Sequence, residues 1–276
     1  MKYVTSGPVY ILDIEKNGET LVCDAPSGAA LHAAATFAKM GHTSHFAGHL
    51  AEDYTKNCIG SFMSENNIIF KGDIVQATTP HYLMDITNGQ KKLAGMHQNI
   101  YLDNYAQGFM LPRAEDLTDS LEDCDGLYLV READETFFKS IDAINDENGF
   151  EVMWQIDDTC FAPEWRKKVK ACAALVDGVC MNFNQAIKLV GVGSYSGAIA
   201  ALEAMLPCEL FVLDRSDCLT VLYQGRIAQH YYSKNALSGD NRVCIAASAV
   251  LASMQKGNDL HTVLKDAVAL VDPEAQ

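Results

Sequence analysis

Apart from the short run Arg166-Lys167-Lys168-Val169-Lys170 the chain has no cluster of basic residues, and it has no Cys-x-x-Cys spacing and no apolar run long enough to cross a bilayer. Each absence removes a class of function. Lys and Arg together number 21 against 36 Asp and Glu, giving a formal net charge of -15. Neither nucleic acid nor an anionic membrane surface is therefore an expected partner. The nine cysteines (23, 58, 124, 160, 172, 180, 208, 218 and 244) are odd in number and scattered. Most lie in apolar runs, where a free thiol behaves as a small hydrophobe. With no signal-peptide pattern after Met1-Lys2-Tyr3, they predict a reducing, cytoplasmic setting. The longest apolar stretch, Val243 to Met254, falls short of the ~20 residues a membrane helix needs. Repeats and low-complexity segments are lacking too.

What is present is ample apolar content, 49% of 276 residues, enough for one large α/β domain over residues 1–276. Strand-like and helix-like segments alternate. Tyr3 to Asp13 reads as a first strand with Asp13 at its end, and Thr20 to Cys23 as a short second one. Ala29 to Met40 reads as an alanine-rich helix, 42–48 as a strand, 53–66 as a helix and 68–70 as a strand. Later come helix 114–122, strand 126–130, helix 133–147, strand 151–156, helix 164–173 and strand 174–179. Helices near 183–190 and 195–205, strand 210–213, hairpin 219–231 and helices 241–255 and 260–271 finish the chain. Alternation of this kind predicts a doubly wound, mainly parallel sheet flanked by helices. Between about 72 and 105 the rhythm changes. Residues 81–86 and 91–94 flank Thr87-Asn88-Gly89-Gln90, a hairpin signal. With residues 15–24, the segment 80–94 predicts a small β lid over one edge.

The stretch Ser238-Gly239-Asp240-Asn241 leads straight into a helix whose residues 243, 246, 247, 250, 251 and 254 share an apolar face. A helix N-terminus with free N–H groups is an anion site. Asp240 at its mouth could take a proton from an attacking hydroxyl; the plainer reading is a helix cap. His42, His45 and His49 suggest metal, yet along a strand 42 and 45 point to opposite faces. His45 and His49 would stand ~13 Å apart at ~3.3 Å per residue. Gly191, Gly193 and Gly197 follow a helical stretch rather than a strand, which weakens a phosphate-loop reading. Asp157-Asp158 sits at a strand end, where a site residue or a turn cap both fit.

Several segments together resemble the ribokinase-like (PfkB) carbohydrate kinases. Ser27-Gly28-Ala29-Ala30-Leu31-His32-Ala33-Ala34, then 38–41, then Gly48-His49-Leu50-Ala51-Glu52-Asp53, are similar to that family's N-terminal signature. The resemblance covers most of the chain and implies the family's fold, with the β segments as its lid. It further implies ATP γ-phosphate transfer to a sugar or nucleoside hydroxyl, with Mg²⁺. Asp13, Ser27, Gly28 and His32 would hold the substrate, His32 standing where the family has Asn and Ser27 where it has Gly. Asn182 and Gln185 match the Asn-x-x-Glu motif on the metal side, with the charge of the Glu lost. Arg215 and Cys218 fall on glycines of the Thr-x-Gly-x-x-Gly nucleotide loop, narrowing it.

The Gly-Ala-Gly-Asp signature falls on residues 238–241 in one of two registers. One places Asn241 at the catalytic carboxylate, which an amide cannot replace as a base; the other places Asp240 there. Ser238 and Gly239 would belong to the anion hole. Two functions follow: a divergent sugar or nucleoside kinase, or a kinase-fold protein without phosphoryl transfer that binds a small ligand or partner. A purely structural subunit is a third, without a positive sign. A small polyol or sugar is the expected ligand, and the lid is a candidate homodimer surface.

Overall fold

The structure, a computed structural model, describes residues 1–87, 90–96, 111–233, 236, 241–272 and 274. In chain order the strands are β1 (Lys2–Ser6), β2 (Tyr10–Lys16), β3 (Glu19–Ser27), β4 (Thr43–Ala51), β5 (Ile68–Val75), β6 (His81–Thr87), β7 (Gln90–Met96), β8 (Gly126–Arg131), β9 (Glu151–Ile156), β10 (Gly178–Asn182), β11 (Leu210–Arg215), β12 (Cys218–Tyr223) and β13 (Arg226–Tyr231). The helices are α1 (Ala29–Lys39), α2 (Thr55–Glu65), α3 (Ala114–Leu121), α4 (Glu135–Asn148), α5 (Arg166–Ala173), α6 (Phe183–Val190), α7 (Tyr195–Met205), α8 (Asn241–Gln255) and α9 (Leu260–Val271).

The larger sheet runs β13-β12-β11-β10-β9-β8-β1-β4-β5. From β5 to β11 every pairing is parallel, and β12 and β13 add an antiparallel edge. Its central strands are apolar on both faces, as a sheet covered by crossover helices requires. In β8, Leu127 and Leu129 enter one core while Tyr128 and Val130 enter the other; in β10, Val179 and Met181 are opposed by Cys180. The core of α1, α2, α8 and α9 lies on one face, and that of α3 to α7 on the other. Helix α8 is buried along an unbroken run from Ala246 to Ser253. Its small residues let it sit between the sheet and both α1 and α9, where a helix apolar all round belongs.

The smaller sheet, order β3-β2-β6-β7, is the lid. It corrects the first predicted strand. Residues 3–13 are not one element: β1 ends at Ser6 and β2 begins at Tyr10 in the lid. The break falls at Gly7-Pro8. Gly7 lies so close to β8 that a Cβ there would stand 2.7 Å from the Val130 Cβ, and Pro8 has no N–H to continue a ladder. Asp13 therefore belongs inside a lid strand, not at the end of a main-sheet strand. The lid is also broader than 15–24 and 80–94, because β2 and β3 are long. The Asn88-Gly89 turn lies outside the described residues. The strand expected at 174–179 runs instead over Gly178–Asn182, since Leu175 and Val176 close the turn after α5 and pack on the core from there.

Two of the chain crossings between lid and main sheet, at residues 7–9 and at Ser27-Gly28, touch; a third runs from β5 to β6 over residues 76–80. Gly28 has φ 136° and ψ 136°, and a Cβ on it would meet the Pro8 carbonyl oxygen at 2.4 Å. Only glycine fits there.

Candidate functional site

In the lid, β2 and β6 run parallel with Ile11 opposite His81. Two residues on, Asp13 points from the same face of β2, because side chains alternate along a strand. Its Oδ2 lies 3.0 Å from His81 Nε2. On the other side β3 carries an irregularity opposite Asp13, between the pairs Leu12–Ala25 and Ile14–Val22. Asp24 sits in it with φ 53°, the left-handed region that Asp tolerates better than most residues. A bulge of this kind re-aims a side chain. Here it turns the Asp24 N–H onto Asp13 Oδ1 at 2.8 Å and brings the Asp24 carboxylate to the same face. Asp13, Asp24 and His81 each present a donor atom, all within 4.8 Å of one another.

Tyr54, just before α2, closes the group from the main-sheet side. Its hydroxyl is 3.2 Å from His81 Nδ1 and 3.4 Å from Asp24 Oδ1. Burial and the Asp24 carboxylate push this phenol up. Asp53 braces the loop beneath, accepting from the Thr55 N–H at 2.9 Å and the Thr79 N–H at 2.6 Å. The exposed Cys23 thiol is also pushed up, chiefly by Asp13, and it donates to Asp24 Oδ2 at 3.6 Å.

The other expected substrate residues divide. Ser27 is buried at the end of β3, paired with Tyr10, and Gly28 opens α1. His32 has a different setting. It packs edge-on against Phe62, and burial lowers its pKa. With Lys39, Asn67, Ile245 and Leu270 it lines a cavity of about 310 Å³. Asp13 pairs with His81, not with His32 across a mouth, because the β1–β2 break carries Asp13 into the lid. Of the three histidines that suggest metal, His42 packs edge-on against Tyr3 and His45 is buried within β4.

Asn182 and Gln185 cap α6 reciprocally. The Gln185 N–H donates to Asn182 Oδ1 at 2.9 Å and the Asn182 N–H to Gln185 Oε1 at 2.7 Å. This is a capping box. The Gln185 amide nitrogen donates in turn to Asp158 Oδ1 at 2.5 Å, while Asp157 caps the short turn at 158–161. The two side-chain oxygens are thus taken by each other's backbone N–H and the Gln185 amide by Asp158, and they do not fit a resident Mg²⁺.

Arg215 and Cys218 face one another across the tight β11–β12 turn. Arg215 pairs with Asp217 and lies over the Tyr195 ring, 4.5 Å from its centre. Cys218 is fully buried, so it lines the core rather than a nucleotide surface: as the first residue of β12 it takes the inward position of the pleat. Behind the turn stands Asp214, buried and held by Arg242 through two hydrogen bonds of 2.8 and 2.9 Å and by the Tyr232 hydroxyl at 2.7 Å. Burial raises the Asp214 pKa, and the bonds from Arg242 and Tyr232 oppose that rise. Arg242 also donates to the Arg215 carbonyl at 2.8 Å. This guanidinium ties the turn to the first residues of α8, so the nucleotide-side elements are bound to each other.

Asn241 opens α8, and its carbonyl accepts from the Cys244 thiol at 2.9 Å. Ser238, Gly239 and Asp240 lie outside the described residues. Sequence reasoning missed Asp24, Tyr54, His81, Asp214 and Arg242. Only Arg242 carried a signal, as a long cation next to the candidate anion hole.

No protein-family model and no curated protein sequence matches the chain. Solved structures do. The adenosine kinase of Sinorhizobium meliloti superposes with a TM-score of 0.79 at 14% identity, over 98% of this chain and 92% of that one. A carbohydrate kinase from Agrobacterium tumefaciens gives 0.73 at 15%, over 98% and 89%. A ribokinase-II-type protein from E. coli, solved with ATP and Mg²⁺, gives 0.74 at 15%, over 98% and 92%. Together with the parallel sheet and its lid, these likenesses establish that the chain has the ribokinase-like fold.

Proposed function

We propose that the chain is a kinase-fold protein that binds a small polyol or sugar in the lid and has lost efficient phosphoryl transfer. The observation that carries this reading is the closed state of the nucleotide half. Gln185 and Asn182 spend their polar atoms on each other and on Asp158, and Arg242 fastens the β11–β12 turn to α8. Asp13 and Asp24 gather two carboxylates on one face of the lid, and their remaining lone pairs suit hydroxyl hydrogens. No step through Mg²⁺ or ATP follows from these residues. Exposed Leu21, Val22 and Ile74 on β3 and β5 support a homodimer through the lid. The nine free cysteines support a reducing, cytoplasmic setting.

Calorimetry with Mg-ATP tests the reading. Binding is expected to be weaker than about 1 mM, or under ~4 kcal/mol, with no turnover on a panel of sugars and nucleosides. Micromolar binding would overturn it. One observation favours the active-kinase alternative: Asp158, 2.5 Å from the Gln185 amide, brings a carboxylate back to the metal side. In that case Asp240 is the base, since Asn241 is an amide, and Asp240→Asn would lower turnover by ~10²–10⁴-fold. The helix would stay capped, as Asn caps as well as Asp.

A further inference from the structure

We infer that the lid holds a divalent metal ion of the zinc class between Asp13, Asp24 and His81. The inference uses the same lid carboxylates as the proposed polyol site and so deepens that reading, but it requires no nucleotide and stands whether or not phosphoryl transfer occurs. The donor set is one imidazole nitrogen and two carboxylates. Two ligands ~2.1 Å from a single tetrahedral ion stand roughly 3.4 Å apart. Asp13 Oδ2 and His81 Nε2 are at 3.0 Å, and the third donor atom lies within 4.8 Å of both. Opening the close pair by ~0.4 Å and drawing in the third donor by at most about 1.4 Å would seat an ion among them.

The three ligands come from adjacent strands β3, β2 and β6, so the backbone spacing of one sheet sets their separation. The supports that orient metal ligands are in place as well. Tyr54 engages the imidazole at Nδ1 and leaves Nε2 facing the carboxylates. The Asp24 N–H holds Asp13 by its other oxygen. Imidazole favours a zinc-like ion over Mg²⁺ or Ca²⁺, which prefer all-oxygen shells. Three protein ligands leave a fourth position open to water or a ligand oxygen. The rival is a simple Asp13–His81 pair with no metal.

The test titrates the full-length chain with Co²⁺ and then Zn²⁺, following visible absorption and heat. One ion per chain is expected, with tetrahedral Co²⁺ absorption that Zn²⁺ abolishes. His81→Gln and Asp13→Asn should each weaken binding by more than the ~10–100-fold typical of outer partners. Thermal unfolding of each variant verifies its fold, and Asp24→Asn replaces any that does not fold. No uptake by the wild type below 1 mM (a threshold on the order of ~4 kcal/mol) leaves the simple pair and overturns the inference. Uptake that survives in the folded variants also overturns it, by placing the ion on other histidines.

Discussion

Arg242→Met will lower the free energy of unfolding by about 3–5 kcal/mol, the usual cost of breaking a buried ion pair from one side. For a chain of this size that is a fall of roughly 10 °C in the unfolding midpoint. Methionine fills much of the arginine stem's volume, so little of the loss is a cavity. The cost comes from Asp214, left buried with only the Tyr232 hydroxyl as a described side-chain partner. The double change Asp214→Leu with Arg242→Met removes both charges and should recover most of the loss.

The pH dependence has a definite sign. Asp214 already has a raised pKa in the folded protein, so it binds a proton on folding at pH values just above the usual carboxylate range. Stability from this group falls as pH rises through that window. Without Arg242 the folded pKa rises further, and the window extends upward. Urea unfolding of both proteins across the acid range reads this directly. A variant as stable as the wild type, with an unchanged pH profile, would show that Arg242 is not tied to Asp214.

The second large effect is expected from Gly28→Ala. Its φ of 136° lies where side chains are rarely found, and the new methyl would stand 2.4 Å from the Pro8 carbonyl oxygen. Backbone strain of ~1–3 kcal/mol adds to overpacking of a similar size. The neighbour is backbone, which cannot rotate away, so the loss should total about 3–5 kcal/mol. Gly149→Ala is the control: it shares a positive φ of 73° but nothing lies near its missing methyl. It should cost only the strain part, ~1 kcal/mol. Equal losses in the two variants would mean that the Pro8 contact contributes nothing.

Much of the fold was legible because strand alternation and helix periodicity are local. Strand Glu151–Ile156 and helices 241–255 and 260–271 emerge with the expected bounds. The first strand misled for a partly non-local reason. Val9 to Leu12 is as apolar as a central strand, but it follows Gly7-Pro8, where Pro8 lacks the N–H to continue a ladder and Gly7 passes close to Val130, far away in sequence. The candidate site was half legible. Asp13 was named through its motif, but His81 is 68 residues further on (81 - 13) and meets it only through parallel pairing of β2 and β6. Asp24 needs a bulge that no residue pattern announces. At Asn182 and Gln185 the motif was visible and the capping box it forms is local, whereas the bond from the Gln185 amide to Asp158 joins distant parts of the sequence.

The contact between Pro8 and Gly28 bears on how the lid is held. The strand that leaves the main sheet and the strand that returns to it pass each other at a single point, and Tyr10 is paired with Ser27 just beyond. A third connection, residues 76–80, enters the lid beside β2: the Ile11 N–H donates to the Pro80 carbonyl, and Asp53 of the body accepts from the Thr79 N–H. The lid is thus pinned to the body on both sides of β2. Asp13 and His81 keep their register between these pins, and Tyr54 meets them from the body.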